Sequence, residues 1–270
     1  MKEILKNKYF ILVLFLANIY IWHLIFNFYW LNSSVRFLNV YEGDSALVIN
    51  RSGNILIDAG RRNYVLNPLT NSLPFFERII DVVMITHADS DHFEGLKYIL
   101  DNYIVRVVVL NDFWNNTKNY QSLLNKLIDK KIILVLGVSG VKVEAGDFFG
   151  QIVYPDLNDI FSNKTNEKSQ VMLVDFLNQK MLFTGDITDK IFKDVVEKNN
   201  IFSVDILKSP HHGGKKTISA DILSKLNVKE AIISVGDNNY GHPSAETLGI
   251  YNEFNVKVRR TDLEGNIVIE

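Results

Sequence analysis

The run Thr86-His87-Ala88-Asp89-Ser90-Asp91-His92 places two imidazoles and two carboxylates within six residues, directly after an apolar stretch, Val82 to Ile85, that reads as a buried strand. Imidazole nitrogen and carboxylate oxygen are the ligands that hold zinc, and mixed nitrogen and oxygen sites also accept manganese. A strand running out into this segment aims alternate side chains, His87, Asp89 and Asp91, into one pocket, with His92 beside them on the following turn. Two metal ions can be held there. A lone Asp or His would be read as the cap of a polar turn, but ligand-type residues at this density point to a metal centre.

Such a centre needs more ligands than one loop supplies, and three later segments end apolar strands with suitable chemistry. Met181-Leu182-Phe183-Thr184-Gly185-Asp186 stops at a glycine that clears space and a carboxylate able to bridge two ions. Val204 to Ser209 leads into Pro210-His211-His212-Gly213-Gly214, where one histidine can ligate while its neighbour points toward substrate. Either of the two fits either role. Val235 to Ser244 contains Gly241-His242-Pro243-Ser244 and is a polar turn opening a helix, whose backbone N–H groups favour an anion to which His242 can donate a proton.

The elements that must position these groups follow from hydrophobic patterning. Strands are expected over Val35–Val40, Ala46–Ile49, Ile55–Ile57, Val82–Ile85, Val105–Leu110, Ile132–Leu136, Gln151–Tyr154, Val171–Leu177, Lys180–Phe183, Val204–Leu207, Ala231–Val235, Lys257–Arg260 and Ile267–Ile269. Helical spacing marks Gly95–Asp101, Tyr120–Asp129, Thr188–Lys198, Ala220–Leu226 and Ser244–Phe254, with Ser219 and Ser244 as N-caps. The stretch Asp156 to Lys168 reads as loop. Two runs of strands, each followed by helices, predict two sheets packed face to face with helices on their outer faces.

The 270 residues carry 47% hydrophobic content, enough for a substantial core, and a formal net charge of −2, which offers nucleic acid no overall attraction. Any phosphate-binding charge must be local, and Lys208, Lys215 and Lys216 beside the histidine pair, or Arg259-Arg260, are the candidates; solvated faces are the plainer reading of each. The absence of cysteine excludes disulfides and thiolate ligands.

Residues 9–31 are almost continuously apolar and aromatic, interrupted by Asn18, His23 and Asn27, and about 20 residues suffice to cross a bilayer. Lys2, Lys6 and Lys8 precede this stretch and only Arg36 follows closely, so the N-terminus is expected in the cytoplasm and the rest of the chain outside. Trp22, Tyr29 and Trp30 supply interfacial anchors. Trp30-Leu31-Asn32 offers no small-residue cleavage site, so the stretch reads as an uncleaved signal anchor over 1–33, followed by one domain over 34–270.

The ordered set Gly43-Asp44-Ser45, Asp58-Ala59-Gly60, Thr86-His87-x-Asp89-x-Asp91-His92, Asn166-x-x-Ser169, Thr184-Gly185-Asp186, Lys208-x-x-His211-His212-Gly213, Gly241-His242-Pro243-Ser244 and Arg260-Thr261-Asp262 resembles the metallo-β-lactamase-fold domain of ComEC-type competence proteins. The resemblance spans roughly Val35 to the C-terminus. It implies an α/β fold, an αββα sandwich of two mixed sheets with a two-metal site at their edge. His87 and Asp89 would belong to one metal, Asp91 and His92 to the other, with Asp186 between them and His211 or His212 completing the second site. Asp58 would steady the ligands without being one. The commoner superfamily pattern has His in place of Asp89 and a further His near Ser169, so the first site here is oxygen-rich, and manganese is as reasonable as zinc. Gly214 stands where the family usually has Ser, which removes an expected hydroxyl contact. A multispanning channel is missing from these residues, so the chain is not expected to transport DNA by itself; a separate transporter or surface machinery is the implied partner.

Two divalent ions acidify a bridging water and neutralise charge on a phosphoryl oxygen. The expected activity is therefore metal-dependent hydrolysis of a phosphodiester, with DNA or another nucleic acid as first substrate. Asp91 or Asp186 would orient the attacking hydroxide, and Ser169, Lys215 and His242 would touch substrate. The alternatives are a phosphoesterase acting on a small or cell-surface group of phosphorylcholine type, and a tethered binding module without turnover. A basic track beside the pocket would favour the polymer.

Overall fold

The computed structural model describes residues 2–30, 33–162 and 164–270. Met1, Leu31 and Asn32 of the expected anchor, and Asn163 of the expected loop, lie outside the described residues. Among the described residues, fourteen strands form two seven-stranded sheets. The strands of the first are β1 (Ser34–Phe37), β2 (Ala46–Asn50), β3 (Gly53–Ile57), β4 (Ile79–Met84), β5 (Ile104–Leu110) and β6 (Ile133–Leu136). The second holds β7 (Lys142–Ala145), β8 (Phe148–Tyr154), β9 (Val171–Phe176), β10 (Gln179–Phe183), β11 (Ile206–Lys208), β12 (Glu230–Ile233) and β13 (Lys257–Arg260), and the chain returns to the edge of the first as β14 (Ile267–Ile269). Their orders are β14-β1-β2-β3-β4-β5-β6 and β13-β12-β11-β10-β9-β8-β7.

Period-two patterning explains why both faces of each sheet are apolar. In β4, Val82 and Met84 point into the space between the sheets while Val83, and Ile85 just past the strand, face the helices; in β10, Met181 and Phe183 point inward and Leu182 outward. Phe37 and Phe183 stack across the interior with ring centroids 5.7 Å apart. Helices Leu66–Ser72, Leu96–Asn102 and Lys118–Asp129 cover the first sheet, and Asp189–Lys198, Ala220–Leu226 and Ala245–Glu253 cover the second. The result is the αββα sandwich that the resemblance implies.

The parallel runs β3-β4-β5-β6 and β10-β11-β12-β13 share one direction each, so their C-terminal ends gather the loops that follow them at one edge. Ligand chemistry in open α/β sheets collects at such ends.

Strand β7 has no counterpart among the expected strands. Its sequence, Lys142-Val143-Glu144-Ala145, buries only Val143, and a short charged strand is how a sheet edge avoids further pairing. Ser244 caps its helix through a bond from the Thr247 N–H (3.1 Å), whereas Ser219 occupies its cap position without a side-chain bond. The N-terminal helix runs Lys2–Trp30, and Asn7–Ile25 within it is long and apolar enough to cross a membrane. Its large side chains from Tyr9 to Leu24 are exposed and pack into neither sheet's core.

Candidate metal centre

Strand β4 ends at Met84, so the donors of the first motif are not presented by strand alternation as the sequence suggested. Thr86 to Asp89 is loop, and Ser90–Phe93 is a helical turn begun at Asp89, whose carbonyl accepts from the N–H groups of His92 (3.0 Å) and Phe93 (3.2 Å). This turn swings Asp91 and His92 back over His87, with the two imidazole rings 4.1 Å apart.

Asp186, midway along the loop after β10, lies at the middle of the cluster. Its Oδ2 is 3.9 Å from His87 Nε2, 3.4 Å from His92 Nε2, 3.6 Å from His212 Nε2 and 3.8 Å from His211 Nε2. Asp89 Oδ2 stands 3.7 Å from His87 Nε2, while Asp91 Oδ2 stands 4.0 Å from His92 Nε2 and 3.4 Å from His212 Nε2. Donor atoms of His87, His92 and Asp186, and of Asp91, His92 and His212, lie within 4.8 Å of one another.

Hydrogen bonds to the far nitrogen fix which way each ring presents itself. Asp58 Oδ1 accepts from the Thr86 N–H (2.8 Å), and its Oδ2 accepts from the Thr86 hydroxyl (2.8 Å) and from His92 Nδ1 (2.9 Å). With its proton given to Asp58, the Thr86 oxygen accepts from His87 Nδ1 (3.0 Å). His212 Nδ1 donates to the Ser234 carbonyl (3.0 Å). All three rings are thus held with Nε2 bare toward Asp186, and those three nitrogens, together with Asp186 Oδ1, are buried without a hydrogen-bond partner. Unpartnered buried acceptors are costly, and a cation satisfies all of them. The residues present therefore fit a pair of divalent ions. Replacing Asp58 with Asn, which cannot accept both the Thr86 and His92 donors equally well, is expected to weaken metal binding by about 10–100-fold with the fold retained, read by titration against a competing chelator.

The charges respond to this crowding. Burial opposes ionisation of Asp186, but His92 and His212 outweigh it and hold the carboxyl well below the usual carboxylate range. Asp91 and Asp89 are lowered against their burial in the same way, by His92 with His212 and by His87. Unless a cation takes Nε2, His92 is pushed well above the ordinary imidazole value and His212 up to about 10, since Asp186 and neighbouring carboxylates overcome burial, so proton and metal compete for the same nitrogens. His242 moves down, through burial and the adjacent imidazoles of His211 and His212. The four carboxylates of Asp58, Asp89, Asp91 and Asp186 are matched in charge by two divalent cations.

His211, His212 and Gly213 take positive φ in succession (48°, 53° and 73°), a left-handed turn that sends His212 into the buried cluster and leaves His211 on the wall of an open cleft of about 310 Å³. His242 lines the same cleft, its ring edge-on to that of His211 at 5.4 Å. A Cβ on Gly214 would meet His242 Nε2 at 3.0 Å, so the missing serine leaves room for that ring.

One expected substrate contact, Ser169, is corrected. Ser169 is 0% exposed, and its hydroxyl oxygen accepts from the Asp186 N–H (3.1 Å); it positions Asp186 and cannot reach a substrate. Lys215 is exposed but is not part of the cleft lining. The basic clusters are also largely spent. Lys208 is buried against Asp44 (2.6 Å), Arg259 pairs with Glu230 and Glu264, and Arg260 pairs with Asp262. What sequence reasoning missed is Tyr41 and Glu42 with Arg61, and Asn238 with Tyr240, all lining the cleft. Arg61 is held by Glu42 and is the one Lys or Arg in that lining. Positive φ at Tyr41 (62°) and Gly43 (92°) marks that loop as unusual, and in the sequence only the motif that begins at Gly43 points to it.

The profile of the Metallo-beta-lactamase superfamily matches residues 38–237. Among curated proteins the chain is similar to ComE operon protein 3 of Bacillus subtilis (26% identical over 253 residues, 86% of this chain and 32% of that protein). It is also similar to Recombination protein 2 of Haemophilus influenzae (25% over 236 residues, 85% and 28%). The chain therefore spans about a third of the length of the curated relatives it matches. Among solved structures it is similar to the metallo-beta-lactamase fold protein YhfI from Bacillus subtilis, with a TM-score of 0.61 and 13% identity over 88% of this chain and 100% of that one. A diphosphatase of the PhnP family gives a TM-score of 0.53 and 15% identity over 88% and 97%. At these identities the likeness is one of fold.

Proposed function

This chain belongs to the metallo-β-lactamase superfamily, and on that footing we propose that it is a membrane-anchored, metal-dependent phosphodiesterase with nucleic acid as first substrate. The observation that carries the metal part is the convergence of three bare, buried Nε2 atoms on the Asp186 carboxylate. Nucleic acid enters from the relatives, one a ComE operon protein and one a recombination protein.

Two divalent ions, zinc or manganese, would supply an acidified water and offset charge developing on the phosphoryl group. His87, Asp89 and Asp186 would hold one ion; Asp91, His92, His212 and Asp186 the other. The first set has a single imidazole, so the two sites differ in affinity and the first is the better suited to manganese. Asp91 and Asp186 orient the attacking water. His242 and His211, on the cleft wall, meet the leaving or non-bridging oxygens, and Arg61 meets a phosphate at the mouth. A separate transporter or surface machinery is the partner the resemblance points to, with the N-terminal helix holding the domain outside the cytoplasmic membrane.

The neutralised clusters favour a second reading, a small or cell-surface phosphoester of phosphorylcholine type, because a cleft of about 310 Å³ with one arginine suits a short substrate. Assay of the full chain in detergent against single-stranded DNA, duplex DNA, RNA and bis-(p-nitrophenyl) phosphate, with manganese or zinc, separates the two. Metal-dependent cleavage of the small diester with all three polymers inert would overturn the nucleic-acid assignment. If DNA is cleaved, one phosphate contact predicts a KM rising about threefold between 50 and 200 mM salt. A much steeper rise would bring in the exposed Lys215-Lys216 pair.

A further inference from the structure

We infer that the end of the sandwich opposite the metal centre docks on the bilayer that the N-terminal helix enters, with Phe75 and Phe76 as its apolar contact; this rests on the reading of that helix as a membrane anchor. Strand register identifies the end. Ser34 pairs with Ile49, Asn50 with Gly53, Ile55 with Val82 and Ile79 with Ile104, so the starts of β1, β3, β4 and β5 lie together. The donors of the centre follow the opposite ends of β4, β10 and β11. Strand β4 alone, with six residues, separates the two ends by about 20 Å.

The tether is short and attaches at the far end. The apolar stretch of the sequence runs to Leu31, and β1 opens at Ser34. The three backbone steps between them reach at most about 11 Å. The Ser34 end is thus held within about 11 Å of the bilayer, about half the distance to the centre.

That end carries what an interface accepts. One guanidinium, Arg36, donates to Ser34 Oγ (3.3 Å) and to the Ser72 carbonyl (3.1 Å), which fastens the turn after helix Leu66–Ser72 beside the tether's attachment. In this turn Phe75 is 76% and Phe76 47% exposed, the rings edge to face at 5.2 Å. Ile104, whose N–H donates to the Arg78 carbonyl (2.7 Å), adds a third exposed apolar side chain next to them. Arg78, lying over Tyr103, flanks the patch with a cation suited to headgroups, and Arg106 flanks it paired with Asp81. Aromatic tips with flanking arginines are the composition of a membrane interface, and covalent continuity with the helix brings that interface within reach.

The chain has no cysteine, so a single introduced thiol reports one position. Phe75→Cys and, at the opposite end, Phe161→Cys would each be labelled with an environment-sensitive fluorophore in the full chain. The proteins would be reconstituted into phosphatidylcholine and phosphatidylglycerol vesicles, with and without acyl-chain nitroxide lipid. The expected result is flotation of both proteins with the vesicles, a blue-shifted emission at 75 quenched at least about twofold by the nitroxide, and water-like, unquenched emission at 161. Failure to float would overturn docking and anchoring together. Flotation with equal, water-like emission at both positions would leave the anchor standing and overturn the docking, as would quenching at 161 alone. A blue shift at 75 that depends on protein concentration and not on nitroxide would assign the patch to protein contact and overturn it too.

Discussion

Replacing Asp186 with Asn is expected to empty both metal positions and lower hydrolysis by about a thousandfold or more, equivalent to about 4 kcal/mol of lost transition-state stabilisation. The geometry makes this residue unlike the other donors. Its Oδ2 is within 3.9 Å of Nε2 on His87, His92, His211 and His212, so it is the carboxylate common to both ligand groups. Asparagine keeps the volume and can still face the cluster, but it carries no charge and offers one carbonyl oxygen in place of the two carboxylate oxygens that a pair of cations would share. Asp89→Asn is the comparison that gives the result meaning. Among the ligand histidines Asp89 comes within 4 Å of His87 alone, and it is partly exposed, so its loss should cost one ion and leave the other near stoichiometric. Metal analysis after gel filtration reads the difference: close to zero ions in the Asp186 variant and close to one in the Asp89 variant. Equal retention in both would mean that Asp186 does not join the two sites. Full metal content with normal turnover in the Asp186 variant would remove the proposed centre altogether.

The sequence exposed the parts of this centre that are local in the chain. Apolar strands ending in His and Asp are visible because strand and donor are contiguous, and β4 with Thr86 to His92, and β10 with Asp186, could be read directly. The alternation argument for the first motif failed because the strand stops at Met84 and a helical turn takes over, a choice made by the Asp89 carbonyl bonding to His92 and Phe93. Which of His211 and His212 turns inward was equally hidden, since it depends on consecutive left-handed residues that no pattern of polarity encodes. Charges misled for a related reason. Lys208 and Ser169 look like substrate contacts in one dimension, yet partners far along the chain, Asp44 and the Asp186 backbone, consume them. Strand β7 escaped notice because an edge strand has little to bury.

Gly43 carries the other large expectation, because it concerns how the centre is framed and not what it binds. A Cβ on Gly43 would lie 1.7 Å from the carbonyl oxygen of Asp91 and 2.6 Å from its carbonyl carbon, and φ is +92°. Neither the backbone of Asp91 nor that of Gly43 can yield without moving a donor. The neighbouring Asp44 is tied into the same frame: its N–H donates to the Asp91 carbonyl (3.3 Å), its carbonyl accepts from Gly60 (2.8 Å), and its carboxylate receives Lys208 (2.6 Å) and lies 3.2 Å from His212 Nδ1. Gly43→Ala is therefore expected to cost about 2–4 kcal/mol of stability, a fall of about 5–15 °C in Tm for a domain of this size. It should also weaken the ion held by Asp91, His92 and His212 more than the one held by His87 and Asp89. Gly140→Ala isolates the backbone contribution, since Gly140 has a comparable φ of +95° with no atom within 4 Å of its Cβ position. Left-handed strain alone costs about 1–2 kcal/mol, so the Gly140 variant should melt slightly lower with both ions retained. If the two variants lose the same stability and the same metal, the contact between this loop and Asp91 contributes nothing beyond strain. A larger loss confined to Gly43 and to the His212 side of the centre would mean that a backbone approach, made possible by one missing methyl group, sets the position of Asp91.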